Sequence, residues 1–299
     1  MMIFFKQSSR YFHNSLVFYN ANKSGLAELR KRTGYTFANC KKALELNGND
    51  VSKAEEWLNK QAQSMGWSKA TKLENRSTTQ GLVGVLVKNN IGAMVEINCE
   101  TDFVARNEQF RKFVEFATKL CAQYTSKTDF DGDLWKLGFE TDALKHLKAN
   151  DGKTLSDHLA LLIGTVGENA TLKRAICFKT NNDLKLYAYT HPPSNINEQS
   201  DVSFGKYGTL VAFRTEKDDK ELQKNICQHI VGMSPVKIGN IDKDKPLENK
   251  DNETCLIFQE YLLDPNYLVN DFLKENNVEI IDYQRYECGE NMKCFSEEN

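Results

Sequence analysis

The order of strand-like and helical segments is the sequence feature that most constrains the fold, because the same order occurs twice. Each copy has two apolar runs, followed by a stretch in which apolar residues recur every three or four positions. The first copy comprises 81–88, 91–99 and a helical pattern at 110–120, and the second comprises 183–191, 206–217 and 221–231. Adjacent strand-like runs predict hairpins, and a repeated unit predicts similar modules. The sequence therefore predicts an α+β core of two similar subdomains with antiparallel sheets, rather than one large sheet.

A helical segment precedes this core. From Leu26 to Met65 apolar residues recur at helical spacing, and Asn47-Gly-Asn-Asp50 is a turn that ends in a good helix-capping residue. Three short helices of this kind resemble the ubiquitin-associated fold, a small bundle with one exposed apolar edge. The predicted organisation is a leader at 1–22, a three-helix module at 23–66, a linker at 67–80, subdomain N at 81–182 and subdomain C at 183–299.

The leader differs in composition from the rest of the chain. It contains Lys6 and Arg10 together with several Ser, Asn and aromatic residues, and no acidic residue occurs before Glu28. A basic, Ser-rich and acid-free start is typical of a mitochondrial transit peptide. We therefore predict that residues 1–22 direct the chain to the mitochondrial matrix.

Composition argues against several classes of protein. The net charge is −2, whereas a general nucleic-acid-binding domain normally carries a basic excess. No apolar run approaches the roughly 18 residues that a membrane span requires. The eight cysteines include no CxxC pair of the kind that holds zinc. We predict no nucleic-acid partner, no membrane partner and no metal.

Catalytic motifs are also missing. Asp151-Gly-Lys-Thr154 resembles part of a phosphate-binding loop, but Leu147 occupies the position where that loop requires glycine. Ser156, Asp157 and His158 are consecutive on a predicted helix, so their side chains cannot face one another as a catalytic triad would. We therefore predict no catalytic residues and no cofactor. An unrecognised enzyme would need a cluster of acids or histidines that forms only in the fold.

One stretch, NCETDFVARNEQF (98–110), places an acid and a bulky apolar ring side by side where a strand gives way to a helix. Two interpretations are open for Phe103. It is either an ordinary core residue, or the Asp102-Phe103 pair faces outward toward another molecule. The residues of this stretch alone do not decide between the two.

Four segments together resemble one known family. They are NCETDFVARNEQF itself, LRKRTGYTFANCKKALELNGNDVSKAEEWL near the start, VGENATLKR at 166–174, and EYLLDPNYLVNDFLKENNVEIIDYQRYECGE near the end. All four are similar to segments of elongation factor Ts, and the resemblance extends from about residue 25 to about residue 290. The transit-like leader indicates the mitochondrial type.

The resemblance implies a function without covalent chemistry. Members of this family bind GDP-loaded elongation factor Tu, promote GDP release by disturbing the magnesium and phosphate site, and are displaced by GTP during translation elongation. The partner implied here is mitochondrial elongation factor Tu. Only about 25 residues separate His229 from Leu256, too few for the long coiled-coil hairpin of many bacterial members. A one-to-one complex is therefore expected.

The resemblance also implies which residues contact the partner. Phe103 would be a wedge beside the metal, and Asp102 its polar neighbour. The other implied contacts are Val166 and Gly167 in a second loop, His191 toward the partner's far domain, and Arg30, Phe37, Ala38 and Lys41 in the three-helix module. Phe37-Ala38 replaces a methionine pair of bacterial relatives.

The alternative interpretation is an adaptor that uses the three-helix module alone to bind ubiquitin-like partners and has no exchange activity. That interpretation leaves the duplicated core without a role, and a mitochondrial location separates the module from ubiquitin. Binding to ubiquitin, compared with binding to elongation factor Tu, distinguishes the two.

Overall fold

The structure, a computed structural model, describes residues 16–33, 35, 37–181, 183–193 and 200–290, with only the backbone described at 16–24. Most of the predicted transit peptide at 1–22 therefore lies outside the described residues, as does the acidic end of the chain. The chain divides into two compact units, residues 1–65 and 66–299.

The described part of the first unit is helical, as the sequence predicts. Helix α1 spans Leu16–Thr33, α2 spans Phe37–Leu46, and α3 spans Val51–Leu73, the last residues of which belong to the second unit. The buried side chains that form the core of the first unit are Leu29, Cys40, Ala43, Leu44, Ala54 and Leu58. At the predicted turn, the Asp50 carboxylate accepts a hydrogen bond from the backbone N–H of Lys53 at 3.0 Å.

Helix α1 differs from the prediction at its start. It begins at Leu16, well before the apolar pattern that starts at Leu26 and inside the segment assigned to the leader. Residues 16–24 contain neither proline nor glycine, so nothing in their sequence interrupts a helix that already has a packed second half. The boundary of the leader stays a prediction.

The second unit is built on two antiparallel sheets. The first has five strands in the order β3-β4-β2-β1-β6. Its strands are β1 Gln80–Lys88, β2 Ile91–Cys99, β3 Leu134–Glu140, β4 Ala170–Thr180 and β6 Ser203–Gly205. The helices that accompany it are α4 Asp102–Arg106, α5 Glu108–Ser126, α6 Thr141–His146 and α7 Leu155–Val166. The buried face of α5, which includes Phe110, packs on the sheet.

The second sheet has three strands in the order β10-β7-β5. Its strands are β5 Leu184–His191, β7 Tyr207–Thr215 and β10 Val278–Glu287. The remaining elements are α8 Lys220–Met233, 3-10 helices at Lys250–Asn252 and Leu256–Phe258, the small hairpin β8 Glu260–Tyr261 with β9 Asp264–Leu268, and α9 Val269–Glu275. Within the described ranges, no helix is long and apolar enough to cross a membrane.

The predicted α+β class and both strand–strand–helix units are confirmed. β1 pairs with β2 and is followed by α5, and β5 pairs with β7 and is followed by α8. Three short or exposed strands, β3, β6 and β9, were not predicted. Of these, β6 comes from the second half of the chain and joins the first sheet. The assignment of 81–182 and 183–299 to separate subdomains stays a prediction.

The apolar residues at 255–263 predict a further strand, and this prediction is wrong. Most of that segment is a 3-10 helix and a short connection, and only Glu260–Tyr261 forms a strand. The buried Gln259 amide donates to the carbonyls of Met233 at 3.2 Å and Glu253 at 2.8 Å, and its oxygen lies 3.0 Å from His229 Nε2. The backbone N–H of Leu262 donates to His229 Nδ1 at 3.1 Å rather than to a neighbouring strand, so side-chain hydrogen bonds hold this segment in place of a strand ladder.

The segment predicted as a linker at 67–80 is helical as far as Leu73 and packs on α7. At Gly66, a Cβ atom would come within 1.9 Å of the Ala160 carbonyl oxygen, so only glycine permits this approach. Lys69 Nζ donates to the carbonyl of Gly164 at 3.3 Å. The packed end of α3 thereby fixes where residue 76 and the start of β1 lie.

Strand β2 is the centre of the first sheet. It pairs with β1 on one side and β4 on the other, with a bulge after Glu96. The Glu96 side chain is fully buried, and its Oε2 accepts a hydrogen bond from Arg174 Nε at 2.7 Å. Its other oxygen accepts from the backbone N–H of Gly289 at 2.8 Å. This carboxylate therefore joins β2, β4 and the segment that follows β10.

We expect replacement of the cation at this site to destabilise the fold strongly. Arg174→Met leaves Glu96 buried without its ion-pair partner, which should lower the free energy of unfolding by roughly 3–5 kcal/mol. The matched control is Arg214→Met, because Arg214 also pairs with carboxylates but its side chain is 48% exposed. The control should lose much less stability, because solvent screens an exposed ion pair. Urea unfolding measures both, and equal small losses would contradict the assignment.

Candidate protein-binding site

The end of β2 leads directly into a short helix. β2 ends at Cys99, and Thr101 has extended backbone angles (φ −125°, ψ 156°) as the N-cap of α4. The Thr101 hydroxyl oxygen accepts from the backbone N–H of Val104 at 3.4 Å. A strand end and a capped helix start therefore lie two residues apart, so the junction has little freedom to bend.

Helix α4 turns its two faces to different surroundings. Val104 and Ala105 are buried in the core of the first sheet, whereas the Phe103 side chain is 81% exposed. Leaving a phenylalanine ring in water forgoes roughly 1.5–3 kcal/mol of burial free energy. The ring therefore contributes little to the fold, and the core interpretation of Phe103 is wrong. The outward-facing interpretation is the one that the structure supports.

Asp102 is held only loosely. Its carboxylate pairs with Arg106 Nη2 at 3.1 Å, one turn along α4, and the two side chains are 47% and 78% exposed. Exposed ion pairs of this kind contribute roughly 0–1 kcal/mol. The carboxylate can therefore exchange Arg106 for a donor on another molecule at small cost.

The second predicted contact loop begins where α7 ends. Gly167 is the C-cap of that helix with a left-handed φ of 82°, and its N–H donates to the carbonyl of Ile163. A Cβ atom at Gly167 would meet nothing within 4 Å, so the glycine serves the backbone conformation rather than a close contact. Val166 is half-buried and packs against the core of the first sheet.

The register of the sheet brings the two segments together. β2 and β4 are antiparallel, and Cys99 pairs with Ala170. Because the chain directions are opposed, residues that follow Cys99 lie beside residues that precede Ala170. The Asp102-Phe103 pair and the Val166-Gly167 loop therefore lie at one corner of the sheet.

Side-chain hydrogen bonds join the two segments at that corner. The Thr101 hydroxyl lies 3.1 and 2.9 Å from the two carboxylate oxygens of Glu168. Glu100 Oε1 accepts from the backbone N–H of Asn169 at 2.7 Å, and its other oxygen lies 3.3 Å from Arg76 Nη1. Asn169 Nδ2 in turn donates to the carbonyl of Arg76 at 3.1 Å. We call these five residues the junction clamp.

No residue of the junction clamp is among the contacts that the sequence predicts. Four of them nevertheless lie inside two of the four segments that carry the family resemblance, directly before Asp102 and directly after Gly167. The sequence feature that could have indicated the junction clamp is the pair of acids Glu100 and Glu168, each within two residues of a predicted contact. Only the register of β2 and β4 shows that these acids face the opposite segment.

The thiol beneath the junction, that of Cys99, is fully buried. Burial, together with the neighbouring Glu168 carboxylate, raises the pKa of Cys99 to about 12. The neutral thiol donates to the carbonyl of Thr101 at 3.2 Å. All cysteines of the described residues are free thiols. No group of three or more His, Cys, Asp or Glu that could hold a metal ion occurs in the described part of the chain.

His191 lies at the same end of the second unit as the junction. Its backbone carbonyl accepts from the N–H of Lys206 at 2.8 Å, Lys206 Nζ donates to Gln80 Oε1 at 2.8 Å, and Gln80 pairs with Cys99. The imidazole is exposed, with the Tyr189 hydroxyl 3.2 Å from Nδ1. The link from His191 to the corner thus runs through two other residues.

The four predicted contacts of the first unit are all exposed. Phe37, Ala38 and Lys41 lie in the first turns of α2, where spacings of three and four residues put them on one face. Lys41 pairs loosely with Glu45 at 3.8 Å. Arg30 is separate from this face, on α1.

Known proteins match both units. The family models "Elongation factor Ts, mitochondrial, N-terminal" and "Elongation factor TS" match residues 9–68 and 100–246. "Elongation factor Ts, mitochondrial" of Drosophila melanogaster is 62% identical over 272 residues, which cover 90% of this chain and 86% of that protein. The protein of the same name from Aedes aegypti is 58% identical, with coverage of 93% and 91%. The human one is 38% identical, with coverage of 90% and 84%.

The exposure of Phe103 can be tested by its effect on stability. Phe103→Ala should change the free energy of unfolding by less than about 0.5 kcal/mol, because the ring is already in water. Phe110→Ala is the matched comparison in the adjacent helix, where the fully buried ring should make the loss roughly 3–5 kcal/mol. Urea unfolding of the two variants gives both values. A loss of several kcal/mol in Phe103→Ala would show that the ring is part of the core.

Proposed function

This chain belongs to the elongation factor Ts family, mitochondrial type, and we propose that it is a guanine nucleotide exchange factor for mitochondrial elongation factor Tu. It binds the GDP-loaded partner, promotes GDP release by disturbing the magnesium and phosphate site, and is displaced by GTP. The observation that carries the proposal is Phe103, which is 81% exposed at the junction of β2 and α4.

The mechanism rests on how a nucleotide is held through magnesium. The ion bridges the phosphates and requires near-ideal octahedral geometry, so small movements of its protein ligands weaken nucleotide binding. A ring inserted among the helices beside the metal can cause such movements without touching the nucleotide. Burial of Phe103 in the partner would supply roughly 1.5–3 kcal/mol toward the displacement.

The neighbouring side chains have supporting roles in this proposal. Asp102 is half exposed and loosely paired, so its carboxylate is available to accept hydrogen bonds from groups that the ring displaces. Val166 and Gly167 form the second contact at the same corner. His191 contacts the partner's far domain. Arg30, Phe37, Ala38 and Lys41 dock on the nucleotide-binding domain.

Reciprocal coupling sets the order of events. By whatever factor this chain weakens the binding of GDP, GDP weakens the binding of this chain by the same factor. The complex is therefore tight when the partner is empty and weak when it is loaded, and incoming GTP completes the cycle by expelling the exchange factor. No covalent bond is made or broken, so the protein accelerates GDP release without being an enzyme.

We further propose a one-to-one complex in the mitochondrial matrix, with no direct contact to nucleic acid or membrane. Residues 234–254, where many bacterial relatives insert a coiled-coil hairpin, form loops and a single 3-10 turn. This short connection supports the stoichiometry. The matrix location rests on the predicted transit peptide and on the mitochondrial names of the relatives.

Release of a fluorescent GDP analogue from mitochondrial elongation factor Tu tests the proposal. The unmodified chain should accelerate release many-fold. Phe103→Ala should lower the maximal rate at saturating concentration by roughly ten-fold or more, since the ring that displaces groups of the partner is removed. Tyr124→Ala is the control, because Tyr124 is also exposed but lies near the other end of α5. An equal maximal rate with a higher half-saturating concentration would make Phe103 an anchor only. No acceleration by the folded, unmodified chain would refute the exchange function.

A further inference from the structure

The junction clamp has no part in the contacts described above, because its hydrogen bonds all lie within the chain. Thr101, Glu100, Glu168, Asn169 and Arg76 instead connect three separate segments at the corner that carries Phe103. These segments are the start of α4, the loop after α7 and the connection between α3 and β1. This cluster of polar groups therefore holds three segments together beside the exposed ring.

Helix α4 needs such support. It has five residues, which is far too short for a helix to be stable by itself. Its inner face offers only Val104 and Ala105 to the core. The position of Phe103 therefore depends on what holds the start of the helix, and that is Thr101.

Thr101 makes two compatible hydrogen bonds. Its single hydroxyl proton points to the Glu168 carboxylate, while its oxygen accepts the N–H of Val104. The bond to Glu168 is assisted by the charge of the carboxylate and belongs to the stronger class of hydrogen bonds. Because Glu168 follows Gly167, movement of α4 is transmitted to the second contact loop.

We propose that Glu168, acting through Thr101, is a positioning residue that holds Phe103 rigid while the ring displaces groups of the partner. This proposal rests on the exchange function proposed above and deepens it. The ring can displace groups of the partner only if α4, which carries the ring, moves less than those groups do. With the junction clamp released, the ring can still be buried in the partner, but α4 tilts and the partner's metal ligands stay in place.

The proposal predicts a specific kinetic pattern. Glu168→Ala removes the acceptor but leaves the Thr101 cap of α4 intact. It should lower the maximal rate of release of a fluorescent GDP analogue by roughly ten-fold, as small losses of positioning do. The half-saturating concentration should change by less than about three-fold, because the contact surface is unchanged. A general loss of structure would instead weaken binding as well.

Three variants and a control sharpen the test. Thr101→Val removes the bond to Glu168 and also the cap of α4, so it should lower the maximal rate at least as much as Glu168→Ala does. The double variant should be no slower than Thr101→Val, since the bond to Glu168 is already lost in that variant. Thr101→Ser keeps the hydroxyl and should restore the rate. Glu279→Ala is the control, because it removes an exposed carboxylate paired with Arg214 on the other sheet and should have no effect.

Amide hydrogen exchange in the free chain provides a readout that does not depend on the partner. In Glu168→Ala, the amides of residues 104–106 should exchange faster, whereas those in the middle of α5 should not change. Unchanged exchange together with an unchanged maximal rate would overturn the proposal, and so would additive effects in the double variant. If the unmodified chain fails to release GDP, the exchange function is refuted instead, and the amide exchange still decides whether the junction clamp holds α4.

Discussion

The pairing of β2 with a strand on each side is the constraint on which the rest of the structure depends. β1 and β4 satisfy its backbone on both edges, and from Gly92 to Cys99 it is buried. Such a strand has almost no freedom to shift, because a slip of one residue would reverse every side chain. The buried Glu96–Arg174 pair adds a further restraint at the bulge. The end of β2 is therefore a fixed base for the residues that follow Cys99.

This base explains how an apolar ring can be held in an exposed position. Phe103 follows Thr101 by two residues, Val104 and Ala105 anchor the inner side of α4, and Glu168 holds the cap. The antiparallel register places the Val166-Gly167 loop beside it. The proposed contact surface at this corner is thus formed by strand pairing rather than by a long loop, which suits a protein proposed to act by displacing parts of its partner.

Much of this could be predicted from the sequence where a local pattern decides the structure. The runs at 81–88 and 91–99, with Asn89-Asn90 between them, specify their hairpin, and the apolar face around Phe110 specifies α5. The strand predicted at 255–263 failed because the segment's N–H groups donate to partners distant in sequence, such as the carbonyl of Lys237 and His229 Nδ1, which no local pattern reveals. The junction clamp was missed for a related reason: Glu100 and Glu168 are far apart in sequence, and only the register of two strands brings their segments together.

A photo-cross-link from position 103 would test the central claim most directly. With p-benzoylphenylalanine in place of Phe103, irradiation of the complex with mitochondrial elongation factor Tu should label the nucleotide-binding domain beside the magnesium site. Excess GDP should lower the yield, because the coupling between GDP and the exchange factor is reciprocal. The same probe at position 124 should give little product. Cross-links confined to another domain, or a yield that GDP does not change, would contradict the account of Phe103 as the wedge.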